Sequence, residues 1–200
     1  LPPEFLLTHP LSSSRISDAF NAAEGVSEEG TKQDSLEFGL MKKRLEIYYE
    51  NIPSNSLRLF TAKVNEDPSD VNIYGLALAH EKNNNFNESL KMLDKLIQKY
   101  PKNLVINTTK VDILRSNGKL DEAIVLVNQF LEISPKNYPL SISKSKILLE
   151  MKKYFESEEI IRDQLLRKND DPELWLLLSE IQRSSKNIIG YHQSRAEYFL

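Results

Sequence analysis

The chain has 200 residues, 40% of them hydrophobic and 28% charged, with a formal net charge of −3 from 26 basic and 29 acidic side chains. That composition belongs to folded domains rather than to a disordered chain, and the slight acidic excess argues against a non-specific phosphate binder. Cysteine is absent, which excludes disulfides, thiolate nucleophiles and cysteine-ligated zinc.

Pro2, Pro3 and Pro10 make regular helix unfavourable over residues 1–11. Ser12, Ser13 and Ser14 can cap a short helix that carries Ile16, Ala19, Phe20 and Ala23. Residues 24–33, with Gly25, Ser27, Gly30 and several charges, read as a linker. From Leu36 the pattern turns helical. Leu36, Leu40, Leu45, Tyr48 and Tyr49 are expected to share one broad face, and Lys42-Lys43-Arg44 to be a solvated one. Pro53 and Asn55 interrupt this run, and Leu57 to Val64 resumes it. Leu174 to Ile181 is the densest apolar stretch, too short and too interrupted to cross a bilayer, so no transmembrane segment is expected. Leu1 has no initiator methionine or signal-like segment around it, and Arg195 to Leu200 reads as helix without a stop signal. Both ends suggest an excised piece of a longer chain.

The middle of the chain repeats itself. Phe86-Asn87-Glu88-Ser89-Leu90 through Tyr100-Pro101-Lys102-Asn103 aligns with Leu120-Asp121-Glu122-Ala123-Ile124 through Ser134-Pro135-Lys136-Asn137, at an offset of 34 (120 − 86). A fainter third copy starts at Tyr154, with Glu156, Ser157, Ile161 and Leu165. Each unit reads as two antiparallel helices. In the first, Ile73, Leu76, Ala77 and His80 lie on one side of the leading helix, Asn83-Asn84-Asn85 turns the chain, and Phe86, Leu90, Leu93, Leu96 and Ile97 stripe the second helix. In the next, Asn117-Gly118 turns the chain and Leu120, Ile124, Val127, Phe130 and Leu131 make the stripe. A lone hairpin cannot bury such stripes, so neighbouring units must stack. Pro68, Pro101 and Pro135 punctuate the units. Pro172 comes about three residues late, and Trp175 and Leu178 suggest one more leading helix.

With small residues at Ala77, Ser89 and Ala123, bulky ones opening the second helices (Phe86, Leu120, Tyr154) and a closing proline, the chain resembles the tetratricopeptide repeat, most clearly from Asp70 to Pro135. The resemblance implies an all-α fold of hairpins stacked in a right-handed superhelix, over residues 34–200, with a concave groove for protein partners. By the family's register the leading helices line that groove with Tyr74, Leu78, Glu81 and Lys82, then Thr108, Asp112 and Arg115, then Ile142, Lys146 and Leu149. The set is amphipathic and not strongly signed. It lacks the lysine/asparagine clamp for a C-terminal carboxylate, and Asp112 would repel one.

A second resemblance sits near the start. Thr8-His9-Pro10, four residues, then Arg15-Ile16 is similar to a segment near the end of the catalytic domain in HExxH zinc metallopeptidases of the Oma/CAAX-protease superfamily. The periplasmic BepA-like branch carries a tetratricopeptide tail after that segment and is linked to quality control of outer-membrane protein assembly. By this resemblance residues 1–33 are the end of a peptidase domain and a linker. The catalytic core and its zinc lie upstream, with no catalytic residue or cofactor in this chain itself. His9 is expected to contact the zinc or its water in the intact enzyme, and Arg15 to orient the same loop. Such a parent is a zinc metalloendopeptidase of the Gram-negative periplasm. The nearest approach to HExxH here, His80-Glu81-Lys82-Asn83-Asn84, has Asn84 where the second ligand belongs. His192, near Arg195, has no second ligand spaced to help it.

Three other readings compete. A free-standing tetratricopeptide adaptor would leave the Thr-His-Pro segment as chance. A helical-repeat nucleic-acid reader would need a basic groove, which the acidic balance and Asp112 oppose. An independent enzyme would need a nucleophile–base pair, a phosphate loop or a ligand cluster, and none is apparent. Tyr48, Tyr49 and Tyr74 are candidates either for partner anchors or for core.

Overall fold

A computed structural model describes residues 12–23 and 34–199. Every regular element among them is an α-helix. The chain divides into two compact units, Leu1–Ser35 and Leu36–Leu200. In the first, α1 spans Ser12–Ala23 and leaves Ile16 and Phe20 exposed. The second holds α2 (Leu36–Tyr49), α3 (Pro53–Glu66), α4 (Asp70–Lys82), α5 (Phe86–Lys99), α6 (Leu104–Ser116), α7 (Leu120–Ile133), α8 (Tyr138–Glu150), α9 (Tyr154–Leu165), α10 (Pro172–Ser184) and α11 (Ile188–Phe199). No helix among the described residues is long and apolar enough to cross a membrane.

The period is stricter than the residue pattern suggests. Leu36, Asp70, Leu104, Tyr138 and Pro172 open α2, α4, α6, α8 and α10 at a constant interval of 34 (104 − 70). Two local devices set it. Asn103, Asn137 and Asp171 cap α6, α8 and α10 by accepting from the backbone N–H of Ile106, Leu140 and Glu173, at 3.1, 3.3 and 3.0 Å. This is the physical role of the repeated Pro-Lys-Asn. Between the helices of each later pair, Asn84, Gly118, Lys152 and Lys186 take positive φ of 59°, 72°, 61° and 64°. The next N–H in each case reaches back to the carbonyl of His80, Leu114, Leu148 or Gln182, the closure that ends a helix through a left-handed residue. Pro172 is therefore not a late version of Pro135. It is the first residue of α10, on period, and α9 is shorter than α7, 12 residues against 14.

Only Gly118 is a glycine in this left-handed set. A side chain there costs about 1–2 kcal/mol, and glycine returns part of that gain through its looser unfolded chain. Lys152→Gly should raise unfolding stability by about 0.5–1 kcal/mol, read from the urea midpoint at unchanged m-value.

From α3 onward the helices pack as neighbours in sequence; α2 packs on α4, and α6 also meets α8. One apolar cluster runs from Leu40 and Ile47 of α2 to Leu140 and Ile147 of α8, and a second joins Ile161 and Leu165 of α9 to Leu174, Leu177, Leu178 and Ile181 of α10. Helix α4 is buried without a break from Tyr74 to Ala79 because α2, α3 and α5 all pack on it. The one-sided stripe expected for it describes only part of its burial.

Helix α2 departs most from expectation. Its inward residues are Leu40, Lys43 and Ile47. Leu45, Tyr48 and Tyr49 are 55%, 75% and 73% exposed, so they do not share the buried face with Leu40. Nor is the basic triplet a solvated face. Lys43 is buried and pairs with Glu46 at 3.1 Å, and Arg44 donates to the Thr109 hydroxyl on α6 at 3.0 Å.

Candidate functional site

The leading helices form the wall of a cleft of about 540 Å³. The successive contributions are Met41 and Arg44 of α2, Leu78 and Glu81 of α4, a run of α6 from Leu104 to Ser116, the start of α8 with Ile142, Ser143 and Lys146, and Glu173 of α10. The 34-residue period places one face of each leading helix on the same side, so the cleft is a consequence of stacking.

Of the groove residues expected from the sequence, Leu78, Glu81, Thr108, Asp112, Arg115, Ile142 and Lys146 line the cleft. Three lie elsewhere. Tyr74 is fully buried rather than facing the groove. Its hydroxyl meets Thr109 Oγ1 at 2.8 Å, beneath the Arg44 side chain, because α2 packs over α4 at this point. Lys82 donates to the carbonyls of Ile47 and Glu50, closing the C-terminal end of α2. Leu149 packs against the second apolar cluster. His9 and Pro10 lie outside the described residues, and Arg15 falls within α1.

The sequence reading passed over Arg44, Met41, Thr109 and Ser143. The signal for Arg44 was present: it stands one period before Leu78 (78 − 44 = 34), which a repeat extended back to Leu36 places on the groove face.

The cleft's charges are unevenly satisfied. Arg44 spends its guanidinium on Thr109 and Tyr74, and Arg115 pairs with Glu150. The Arg115 Nε–H is buried and finds no acceptor among the described residues. Asp112 accepts from the Ser143 hydroxyl at 2.7 Å. The Glu81 carboxylate accepts no hydrogen bond from any described residue. Burial, and then the neighbouring Asp112 charge, hold its carboxyl above the ordinary carboxylate range against the weaker pull of Arg115, Arg44 and Lys82. A carboxyl raised in the folded state favours folding fully below its unfolded value of about 4.5 and loses that advantage as pH rises through the folded value. Glu81→Gln should therefore melt above wild type at pH 7, and the difference should shrink to nothing as pH falls below about 4.5. Calorimetric scans across pH 4–8 measure this.

His80 offers no half of a zinc cage. Its ring Nδ1 is buried without a partner and burial lowers its pKa. The helix ends at Lys82, and Asn84 is left-handed, so no ligand one helical turn on is available. Among the described residues, no group of three or more His, Asp or Glu side chains is placed to hold a metal. His192 is exposed against the Tyr191 ring.

Residues 114–181 match the family model of the tetratricopeptide repeat. No curated protein matches the chain. Among solved structures, the chain is similar to TTC0263, a thermophilic TPR protein of Thermus thermophilus, with a TM-score of 0.66 at 18% identity over 82% of this chain and 90% of that one. It is similar to pilF of Pseudomonas aeruginosa, with a TM-score of 0.62 at 13% identity over 81% of this chain and 74% of that one. It is also similar to MamA, residues 41 to the end, of Desulfovibrio magneticus RS-1, with a TM-score of 0.56 at 12% identity over 80% of this chain and 91% of that one. At these identities the likeness is one of fold. The chain thus carries a tetratricopeptide-repeat region, folded as helical hairpins stacked in a superhelix.

Proposed function

We propose that the repeats hold an extended or helical segment of a protein partner in the cleft between α2 and α8, and that they do so as the recruiting tail of a periplasmic zinc metalloendopeptidase. A tetratricopeptide region is a protein–protein interaction domain. The observation that carries the binding reading is the cleft itself. Apolar Leu78, Val105 and Ile142 are interleaved with the charges of Glu81, Asp112, Arg115 and Lys146, the mixture of apolar floor and polar rim found where proteins meet.

The peptidase parentage rests on Thr8-His9-Pro10 and Arg15-Ile16 preceding a repeat region, in the order of the BepA-like branch. The zinc then belongs to an upstream catalytic domain, since the described residues supply no cage for it. In that reading the partner is a substrate or a component of the outer-membrane assembly machinery, the compartment is the Gram-negative periplasm, and the repeats bring the partner to the catalytic domain.

The coding sequence upstream of Leu1 tests the parentage. An HExxH helix there is the expected result, and a start codon immediately before Leu1 selects the free-standing adaptor instead. In the intact protein, His9→Ala should alter zinc occupancy and peptidase rate. No change in either removes His9 from the metal.

A further inference from the structure

We propose that the cleft selects its partner through a basic side chain, lysine or arginine, whose cation lodges at the paired carboxylates of Glu81 and Asp112. This rests on the cleft being the docking site and names what the docked segment must carry. Glu81 stands in the cleft wall with no hydrogen-bond donor among the described residues, and Asp112 has only the Ser143 hydroxyl. The cations that act on Glu81 are committed to other partners: Arg44 to Thr109 and Tyr74, Arg115 to Glu150, Lys82 to the carbonyls that end α2. Two half-buried carboxylates with a single hydroxyl donor between them are costly in the empty protein, and a cation arriving from outside recovers that cost.

The walls beside the pair are apolar, formed by Leu78, Val105 and Ile142. A lysine or arginine fits this geometry because its methylene stem covers apolar surface while its charged end reaches the acids. A divalent metal does not, since no third acidic or imidazole ligand is placed with them among the described residues. An acidic segment would have to leave the pair uncovered and turn to Arg115 and Lys146 in the same cleft. Protonation of Glu81 at acid pH should weaken binding; the Asp112 charge beside it favours that protonation, and Arg115, Arg44 and Lys82 oppose it.

The test uses the full 200-residue chain as bait for a random peptide library displayed on phage, in parallel with the isosteric double variant Glu81→Gln/Asp112→Asn. Wild type should select peptides with lysine or arginine at one fixed position relative to apolar neighbours, and the double variant should lose that preference. Replacing the selected lysine by norleucine in a synthetic peptide should weaken binding to wild type by about tenfold to a hundredfold, as for a truncated desolvated charge pair, and leave binding to the double variant nearly unchanged. Matching circular dichroism, and a cooperative melt of the double variant no lower than that of wild type, confirm that both proteins are folded. Peptides that bind wild type without a basic residue, or with an acidic one, overturn the proposal and leave the docking reading standing. No selected peptide on either protein overturns both.

Discussion

Gly75→Leu should destabilise the repeat region by about 3 kcal/mol or more, and the loss should begin at its N-terminal end. Gly75 lies midway along α4, where α3 crosses it. A Cβ added there would come within 2.3 Å of Phe60 Cε1 and 2.5 Å of Phe60 Cδ1. Phe60 is 1% exposed, so its ring has nowhere to go. Even alanine meets this clash, and its gain in helix propensity of about 1 kcal/mol offsets only part of an overpacking cost of about 1–3 kcal/mol. The control is Phe60→Ala, which by itself should cost about 3–5 kcal/mol through the cavity it leaves. In the double variant the leucine fills space that the ring vacated, so the two losses should fall well short of adding. In a stack each hairpin leans on its neighbours, and unfolding need not be all-or-none. Hydrogen exchange should therefore speed first in α3 and α4, while α9 and α10, which hold a separate apolar cluster, stay protected longer. Uniform loss of protection through α10 would show that the α3–α4 contact is not a local lock.

What the residue pattern made legible follows from what repeats conserve physically. Phe86, Leu90, Leu93 and Leu96, and Leu120, Ile124 and Val127, lie on helices with one solvated face, so burial leaves a stripe of period 3.6 that can be read directly. Asn103 and Asn137 recur because each opens a helix. Seven of the ten expected groove residues line the cleft because the register of α4, α6 and α8 is that of one repeated unit. Helix α2 was illegible for the opposite reason. Its buried side carries Leu40, Lys43 and Ile47, and its exposed side Leu45, Tyr48 and Tyr49, so hydrophobicity points outward and a charge points inward. Tyr74 followed from the same omission: without α2 in place it reads as a groove residue, and with α2 packed on α4 it is core. Helix spacing, rather than hydrophobicity, held the missing information, since α2 opens one period before α4.

Glu46→Leu should cost about 2–3 kcal/mol, although it replaces a charge by an apolar side chain at a partly buried position. Lys43 stands one period before Ala77 (77 − 43 = 34), in a place that the next unit fills with a methyl group. Its Nζ lies 5.5 Å from the centre of the Phe60 ring, and that of Lys63 lies 4.8 Å from it. Glu46 accepts from both, at 3.1 and 2.7 Å. Burial pushes the Glu46 carboxyl upward, but the hydrogen bonds from Lys63 and Lys43 outweigh it and leave the pKa below the ordinary value. A depressed carboxylate stabilises the fold above its unfolded value of about 4.5, and that contribution is lost as pH falls through the folded value. Removing Glu46 leaves a buried ammonium beside Phe60 with no counter-charge, which is where most of the cost arises. Lys43→Met removes the charge along with the need for it and should change stability by no more than about 1 kcal/mol. Placed on top of Glu46→Leu, it should restore the greater part of the loss, and the fall in stability below about pH 4.5 should be shallower than in wild type. Urea titrations of the two single variants and the double, at pH 7 and pH 4, decide the matter: additive losses would mean that Lys43 and Glu46 act independently.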